Sequence, residues 1–269
     1  MLKSLAVNHI IIYQNLYSMK IIDKINAKSG IIKLKFNEIF NRNKTINKIL
    51  KKKKKIVFDV GANIGQSLYQ FQKDVKNISQ YHMFEPNILL KNQLLKNIDK
   101  YKIKNATHKV NFSALGKNTK KIPFFINKFS TLSSFYQIPK KSNYFINKYK
   151  FNNYRKGQKK TIVNQIKLDD YIKKNQINLI DILKIDTEGY DIEVLKGAKN
   201  ALKDNKIKII ITELHFNFGL YKRQNTFYEI EKVLGKNYIL WDISFLYKNP
   251  KYKCLDYLDA IYVNKNIIP

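Results

Sequence analysis

Six side chains able to hold or move protons stand at the ends of short apolar runs in this sequence. Asp59 lies in IVFDVGANIGQS, Glu85 in QYHMFEP, Asp186 and Glu188 in DILKIDTEGY, and Glu213 and His215 in KIKIIITELHF. Each is therefore expected at the carboxyl end of a buried strand, and open α/β sheets bind ligands in the crevice beyond those ends. Crowded carboxylates repel one another unless cations, hydroxyls or protons offset them, so such a cluster marks a site. Its chemistry is the holding of hydroxyl-bearing or cationic groups and general-base catalysis, with histidine the side chain poised near neutral pH. Each group also has a purely structural reading: Asp186 or Glu188 capping the helix that opens at Gly189, or His215 bonded to backbone at a strand end.

The elements that must position these groups follow from hydropathy. Ile56, Val57, Phe58 and Val60 form the almost continuous run of a strand covered on both faces. Gly61 and Gly65 bracket a tight turn, and Ile64, Leu68, Phe71 and Val75 share one face of the following helix. The missing Cβ atoms let the backbone close on a ligand, and the helix start offers free N–H donors. Glu85 comes 26 residues after Asp59, at the end of a second strand, where nucleotide-binding α/β proteins hold ribose hydroxyls. Thr107 to Lys117 reads as a third strand ending near Ser113 and Ala114. KIPFFIN and STLSSFY read as a hairpin, and IVNQIKLDDYI as a short strand and a helical turn. Further strands are expected at Ile182–Ile185 and Lys206–Phe216. YILWDISFL and YLDAIYVNK read as an antiparallel pair closing the sheet. An insert at 116–178 is expected over the strand ends as a substrate lid.

Residues 1–55 are expected to form a mainly helical extension, with Lys51–Lys55 as a solvated flank, and 56–269 the functional domain. The net charge of +31 suggests nucleic acid or an anionic surface as partner. Only Arg42, Arg155 and Arg223 are arginines among 51 basic residues. Arginine is the usual reader of phosphates and bases, so the charge is read as composition bias and nucleic acid is not favoured. The single cysteine, Cys254, excludes an internal disulfide and a cysteine-rich zinc site. No signal peptide is read at the N-terminus, no apolar run approaches the ~20 residues of a membrane span, and a cytoplasmic location is expected. No metal is assigned, although Asp186, Glu188, Glu213 and His215 are able to ligate a divalent ion.

Taken in order, FDVGANIGQ, FEP, LKIDTEGYDIEVLKGA and ITELH resemble the FkbM family of S-adenosylmethionine-dependent methyltransferases, over Ile56 to Phe216. The Lys184–Ala198 block is the most specific. The resemblance implies an α/β, Rossmann-like class I methyltransferase fold: a seven-stranded, mostly parallel sheet with an antiparallel last strand and helices on both faces. It implies S-adenosylmethionine as cofactor and O-methylation, commonly of sugar hydroxyls in glycans or natural products. By position, Asp59, Gly61, Asn63 and Gly65 would surround the methionine part of the cofactor, Glu85 would bind its ribose, and Ser113 and Ala114 would lie by its adenine. Asp186 and Glu188 match the family's paired acids, and Glu213 with His215 its terminal acidic strand; Thr187 replaces a common valine. The resemblance leaves the base open among Asp186, Glu188 and His215. A dinucleotide-dependent oxidoreductase is the nearest rival, but it normally shows GxGxxG, and Asn63 stands at the second glycine. Two more rivals are an RNA methyltransferase that uses the lysine excess and a non-catalytic cofactor-binding module.

Overall fold

The structure is a computed structural model that describes residues 42–51, 54–138, 158–216, 225–248 and 254–268. Expectations for residues 1–41, and for the part of the insert at 139–157, lie outside the described residues. Phe40–Pro269 forms one compact unit. In chain order its elements are α1 (Arg42–Leu50), β1 (Lys55–Val60), α2 (Gln66–Asp74), β2 (Ile78–Phe84), α3 (Lys91–Tyr101), β3 (Thr107–Asn111), β4 (Ala114–Leu115), β5 (Lys120–Ile126) and β6 (Lys159–Ile166). There follow α4 (Leu168–Lys174), β7 (Ile180–Ile185), α5 (Asp191–Lys196), α6 (Lys199–Lys203), β8 (Ile207–His215), α7 (Phe227–Leu234), β9 (Tyr238–Lys248) and β10 (Leu255–Asn264).

The main sheet has seven strands in the order β3-β2-β1-β7-β8-β10-β9. The first five are parallel, while β10 runs antiparallel to both β8 and β9. This is the expected α/β architecture, with the antiparallel pair closing the sheet. The continuous apolar runs are explained by cover on both faces. Phe58, Leu183, Ile185, Ile210 and Tyr262 pack with α4, α5, α6 and α7 through Leu168, Val194, Ala201 and Ile230. Their strand neighbours Val57, Ile182, Ile209, Ile211 and Ile261 pack on the other face with Ile46 of α1, Leu68 and Phe71 of α2 and Leu94 of α3. In β1, β7 and β8 only the amino-terminal half of that second face is apolar, whereas β2 keeps it apolar through Met83. Toward the strand ends, Asp59, Lys184, Glu213, His215, Asp259 and Tyr257 take over the same alternating positions.

Three local expectations change. The strand at 107–117 breaks after Asn111, and Ala114–Leu115 leaves the main sheet to pair with β6. The hairpin partner of β5 is β6, from Lys120↔Gln165 to Ile126↔Lys159; the STLSSFY stretch contributes only a bridge, Phe125↔Ser134. Two antiparallel segments with β-branched and aromatic residues, KIPFFI and KTIVNQI, outcompete the nearer but serine-rich one. Finally, Lys55 does not belong to a solvated flank. It is fully buried, and its ammonium donates to the carbonyls of Lys76 at 2.7 Å and Lys51 at 3.2 Å. Burial pushes its pKa below the ordinary lysine value. Replacement of Lys55 by alanine orphans these carbonyls and is expected to cost about 1–3 kcal/mol. Lys54→Ala, at the exposed neighbour, should stay within about 0.5 kcal/mol of wild type in urea denaturation.

Candidate active site

Two turns at the carboxyl ends of β1 and β7 are pressed together. Gly61 and Ala62 donate their N–H groups to the Phe84 carbonyl at 3.0 and 3.1 Å, and Asp186 donates its own to Val60 at 2.9 Å. Gly61 has φ +82°, and a Cβ there would stand 1.9 Å from the Asp186 carbonyl oxygen. Its missing side chain thus admits the second turn rather than a ligand. Asn63 also sits in the left-handed region, at φ 49°. Its N–H donates to Glu85 Oε2 at 2.8 Å, and its side-chain carbonyl accepts from Ser130 Oγ at 3.0 Å. Gly65 (φ 88°) closes the turn by donating to Ala62 at 2.8 Å.

Glu85 follows β2 and is 5 % exposed. Its other oxygen accepts from the Asn87 N–H at 2.7 Å. Burial raises its pKa to about 7; the two backbone donors hold it back and the Asp59 charge adds to the rise. A carboxylate so placed retains free lone pairs and is able to accept further donors. Ser113 lies in the link between β3 and β4, half-buried, and Ala114 in β4, buried. They mark the passage from the main sheet to the small one.

Asp59 is fully buried, and both its oxygens face protein groups. Oδ1 lies 3.3 Å from Lys184 Nζ, and Oδ2 accepts from the Tyr81 hydroxyl at 3.1 Å. Asp59 and Lys184 are registered neighbours in β1 and β7. The same ammonium reaches Asp186 Oδ2 at 3.2 Å, and the Asp186 side chain is 48 % exposed. Burial works against the lysine charge, but Asp186, Asp59 and Asp259 outweigh it and hold the ammonium above its ordinary pKa. Sequence reasoning missed Lys184. Its signal was a charged residue inside the otherwise apolar run ILKI, which requires a partner on the neighbouring strand.

The second turn carries Glu188 at φ 53° and Gly189 at φ 90°. It is held by Asp191, also missed, which is fully buried. Asp191 accepts from the Thr187 N–H at 3.1 Å and the Thr187 hydroxyl on one oxygen, and from Thr212 Oγ1 at 2.7 Å on the other. Burial raises its pKa, and these hydroxyl and N–H donors oppose the rise. The Glu188 carbonyl accepts from Ser134 Oγ at 2.9 Å. On β8, Glu213 Oε2 lies 2.9 Å from His215 Nε2. Burial raises the Glu213 pKa, with His215 opposing. Burial would lower that of His215, but Glu213, Asp191 and Asp256 raise it overall. Asp59, Asp186, Glu213 and His215 are thus brought to one face and edge of the sheet around Lys184, with Glu85 beside the first turn and Glu188 on the second. Among the described residues no three His, Cys, Asp or Glu side chains are placed to hold a metal ion, and no helix is long and apolar enough to cross a membrane.

The model of the methyltransferase FkbM domain matches residues 59–240. The chain belongs to the FkbM methyltransferase family. It carries an S-adenosylmethionine-dependent methyltransferase domain, which removes the oxidoreductase reading. No curated protein matches the chain. Among solved structures it is similar to a methyltransferase FkbM from Methylobacillus flagellatus KT, at 18% identity and TM-score 0.49, over 78% of this chain and 43% of that one. This FkbM chain therefore spans less than half the length of that relative. It is also similar to the magnesium protoporphyrin IX methyltransferase of Synechocystis PCC 6803 with bound SAM, at 7% identity and TM-score 0.46 over 95% of this chain and 96% of that one. A third is M. capricolum TrmK bound to S-adenosylhomocysteine, at 15% identity and TM-score 0.38 over 82% and 68%.

The buried ion pair makes a stability prediction. Lys184→Met leaves Asp59 as an uncompensated buried charge and should cost about 3–5 kcal/mol. Adding Asp59→Asn should recover most of the loss in urea denaturation at neutral pH.

Proposed function

We propose that this protein transfers a methyl group from S-adenosylmethionine to a hydroxyl oxygen of a sugar, in a glycan or a related small molecule. The carrying observation is the Glu213–His215 pair, 2.9 Å apart, on the same sheet face as Lys184 and Asp186. The cofactor supplies an activated methyl group on a sulfonium. The chain must hold the acceptor oxygen in line and take its proton as the new bond forms. His215 is the base in this reading: Glu213 Oε2 stands 2.9 Å from Nε2, and its charge favours the protonated imidazole that forms when the ring takes the acceptor's proton. Asp186, half exposed and fixed by Lys184, faces the acceptor, and Glu188 lines the second turn beside it. Glu85 accepts the ribose hydroxyls, and the Gly61–Gly65 turn receives the methionine part, with Asn63 offering its side-chain amide. Asp59 acts through Lys184 rather than by direct contact.

The first test is kinetic. His215→Asn is expected to lower kcat by about 10²–10⁴ while S-adenosylhomocysteine affinity stays within about twofold. Protonated His215 cannot act as base, so kcat/KM should rise with pH through its raised pKa. Glu213→Gln removes the anion that raises that pKa, so the acidic limb should move to lower pH. Undiminished turnover in His215→Asn would overturn its role; undiminished turnover in Asp186→Asn and Glu188→Gln as well would overturn the carboxylate–histidine site.

The second test is calorimetric. Ribose hydroxyls donate to the ionised form of Glu85, whose pKa is about 7. Affinity for S-adenosylhomocysteine should therefore weaken as pH falls below that value, by up to about tenfold per unit. Glu85→Gln should bind more weakly at high pH and lose the dependence.

A further inference from the structure

Ser130 reaches from the insert to the first turn. It opens a single helical turn, Ser130–Leu132, after β5, and its hydroxyl donates to Asn63 Oδ1 at 3.0 Å across 67 residues of sequence. The loop that carries it is held independently of this bond. Phe125 and Ser134 exchange backbone hydrogen bonds at 2.8 and 3.1 Å, Ser133 Oγ accepts from the Asn127 N–H at 2.9 Å, and Leu132 and Ser134 are buried. A fixed backbone therefore presents the Ser130 hydroxyl. A side-chain amide has one accepting end and one donating end. With Oδ1 of Asn63 occupied, the end left to meet a ligand is Nδ2, which has no hydrogen-bond partner among the described residues. A second feature gives the charge of the group it meets. α2 begins at Gln66, behind Gly65, with no side-chain cap, so its first N–H groups also face the turn and favour an anion.

We propose that Ser130 is a positioning residue for the cofactor: it holds the Asn63 amide with Nδ2 toward the carboxylate of the methionine part, so that the insert sets the affinity for that part alone. This role rests on the reading that the Gly61–Gly65 turn receives the methionine part. Without the hydroxyl donor, the Asn63 amide is as well satisfied with its carbonyl turned to the ligand, and a carbonyl oxygen repels a carboxylate. The ribose contact does not depend on which way the amide faces, because Asn63 holds Glu85 through its backbone N–H. A ligand that keeps adenine and ribose but lacks the amino-acid tail is therefore blind to Ser130. The segment that covers the strand ends thus also grips the end of the cofactor farthest from the adenine.

The experiment is titration calorimetry on the full chain with two ligands that share adenine and ribose. S-adenosylhomocysteine carries the amino-acid tail, and methylthioadenosine lacks it. Ser130→Ala is expected to weaken S-adenosylhomocysteine binding by about fivefold or more and to leave methylthioadenosine within about twofold. Asn63→Gly, which suits the left-handed backbone, should show the same selective loss, and adding Ser130→Ala to it should cost nothing further. Ser134→Ala loosens the same loop at the Glu188 carbonyl instead and should keep the ratio of the two affinities. A Ser130→Ala variant that weakens both ligands equally or neither, or that adds a further selective loss to Asn63→Gly, overturns the positioning role; the selective loss in Asn63→Gly alone then leaves the methionine placement standing. An Asn63→Gly variant without selective loss overturns that placement and the positioning role with it.

Discussion

The site depends on one buried cation. Lys184 stands between Asp59 and Asp186 at 3.3 and 3.2 Å, and removing such charges from water costs several kcal/mol per ion unless geometry and further bonds offset it. Here the offset is distributed: Tyr81 satisfies the second oxygen of Asp59, and Asp186 keeps half its surface in solvent. The ion pair joins the same two strand ends that the backbone joins, through Asp186 N–H to Val60 and through the glycine that lets Asp186 approach. Electrostatics and backbone therefore fix one geometry for both turns. Because Asn63 on the first turn holds Glu85, the acid of β2 inherits that geometry too.

The insert reaches this unit through two hydroxyls. Ser130 donates to Asn63 and Ser134 to the Glu188 carbonyl. Both acceptors belong to non-glycine residues in the left-handed region, at φ 49° and 53°. That conformation costs such residues about 1–2 kcal/mol, and a hydrogen bond to each contributes about 1 kcal/mol in return. A segment that sequence pattern assigns to substrate cover thus also holds the turns in place. Phe135, its ring tilted by 37° with its centroid 4.3 Å from that of Tyr190, anchors it against the second turn.

The strands, their order of burial and the acids at their ends were legible because a sheet covered on both faces leaves an unmistakable apolar run. What was not legible has physical causes. Lys184 interrupts the apolar run ILKI, yet in a lysine-rich chain that interruption does not stand out, and register with Asp59 is what names its partner. Asp191 reads as an ordinary first-turn helix acid, whereas three-dimensional closure buries it beneath Thr187 and Thr212. The two-residue strand Ala114–Leu115 is too short to have a period, so the third strand appeared longer than it is. Lys55 belongs to a run of five lysines, and composition hid its burial.

Two histidines show how sheet face decides chemistry. His82 lies on the apolar face, stacked 4.6 Å from Phe58. Asn111 donates to the Tyr171 hydroxyl at 3.2 Å, which frees that hydroxyl to donate to His82 Nδ1 at 2.9 Å; Nε2–H then donates to Gln80 at 3.0 Å. Both ring nitrogens are committed to the neutral form, and burial, with help from Lys109, lowers the pKa to about 4. His215 is nearly as enclosed, but Glu213 stands 2.9 Å away and Asp191 and Asp256 add their charge, so its pKa moves up instead. The residue type is the same and the desolvation has the same sign; the neighbouring carboxylates reverse the outcome. His215, on the face that gathers acids around Lys184, thus keeps its charged form to higher pH than His82 does.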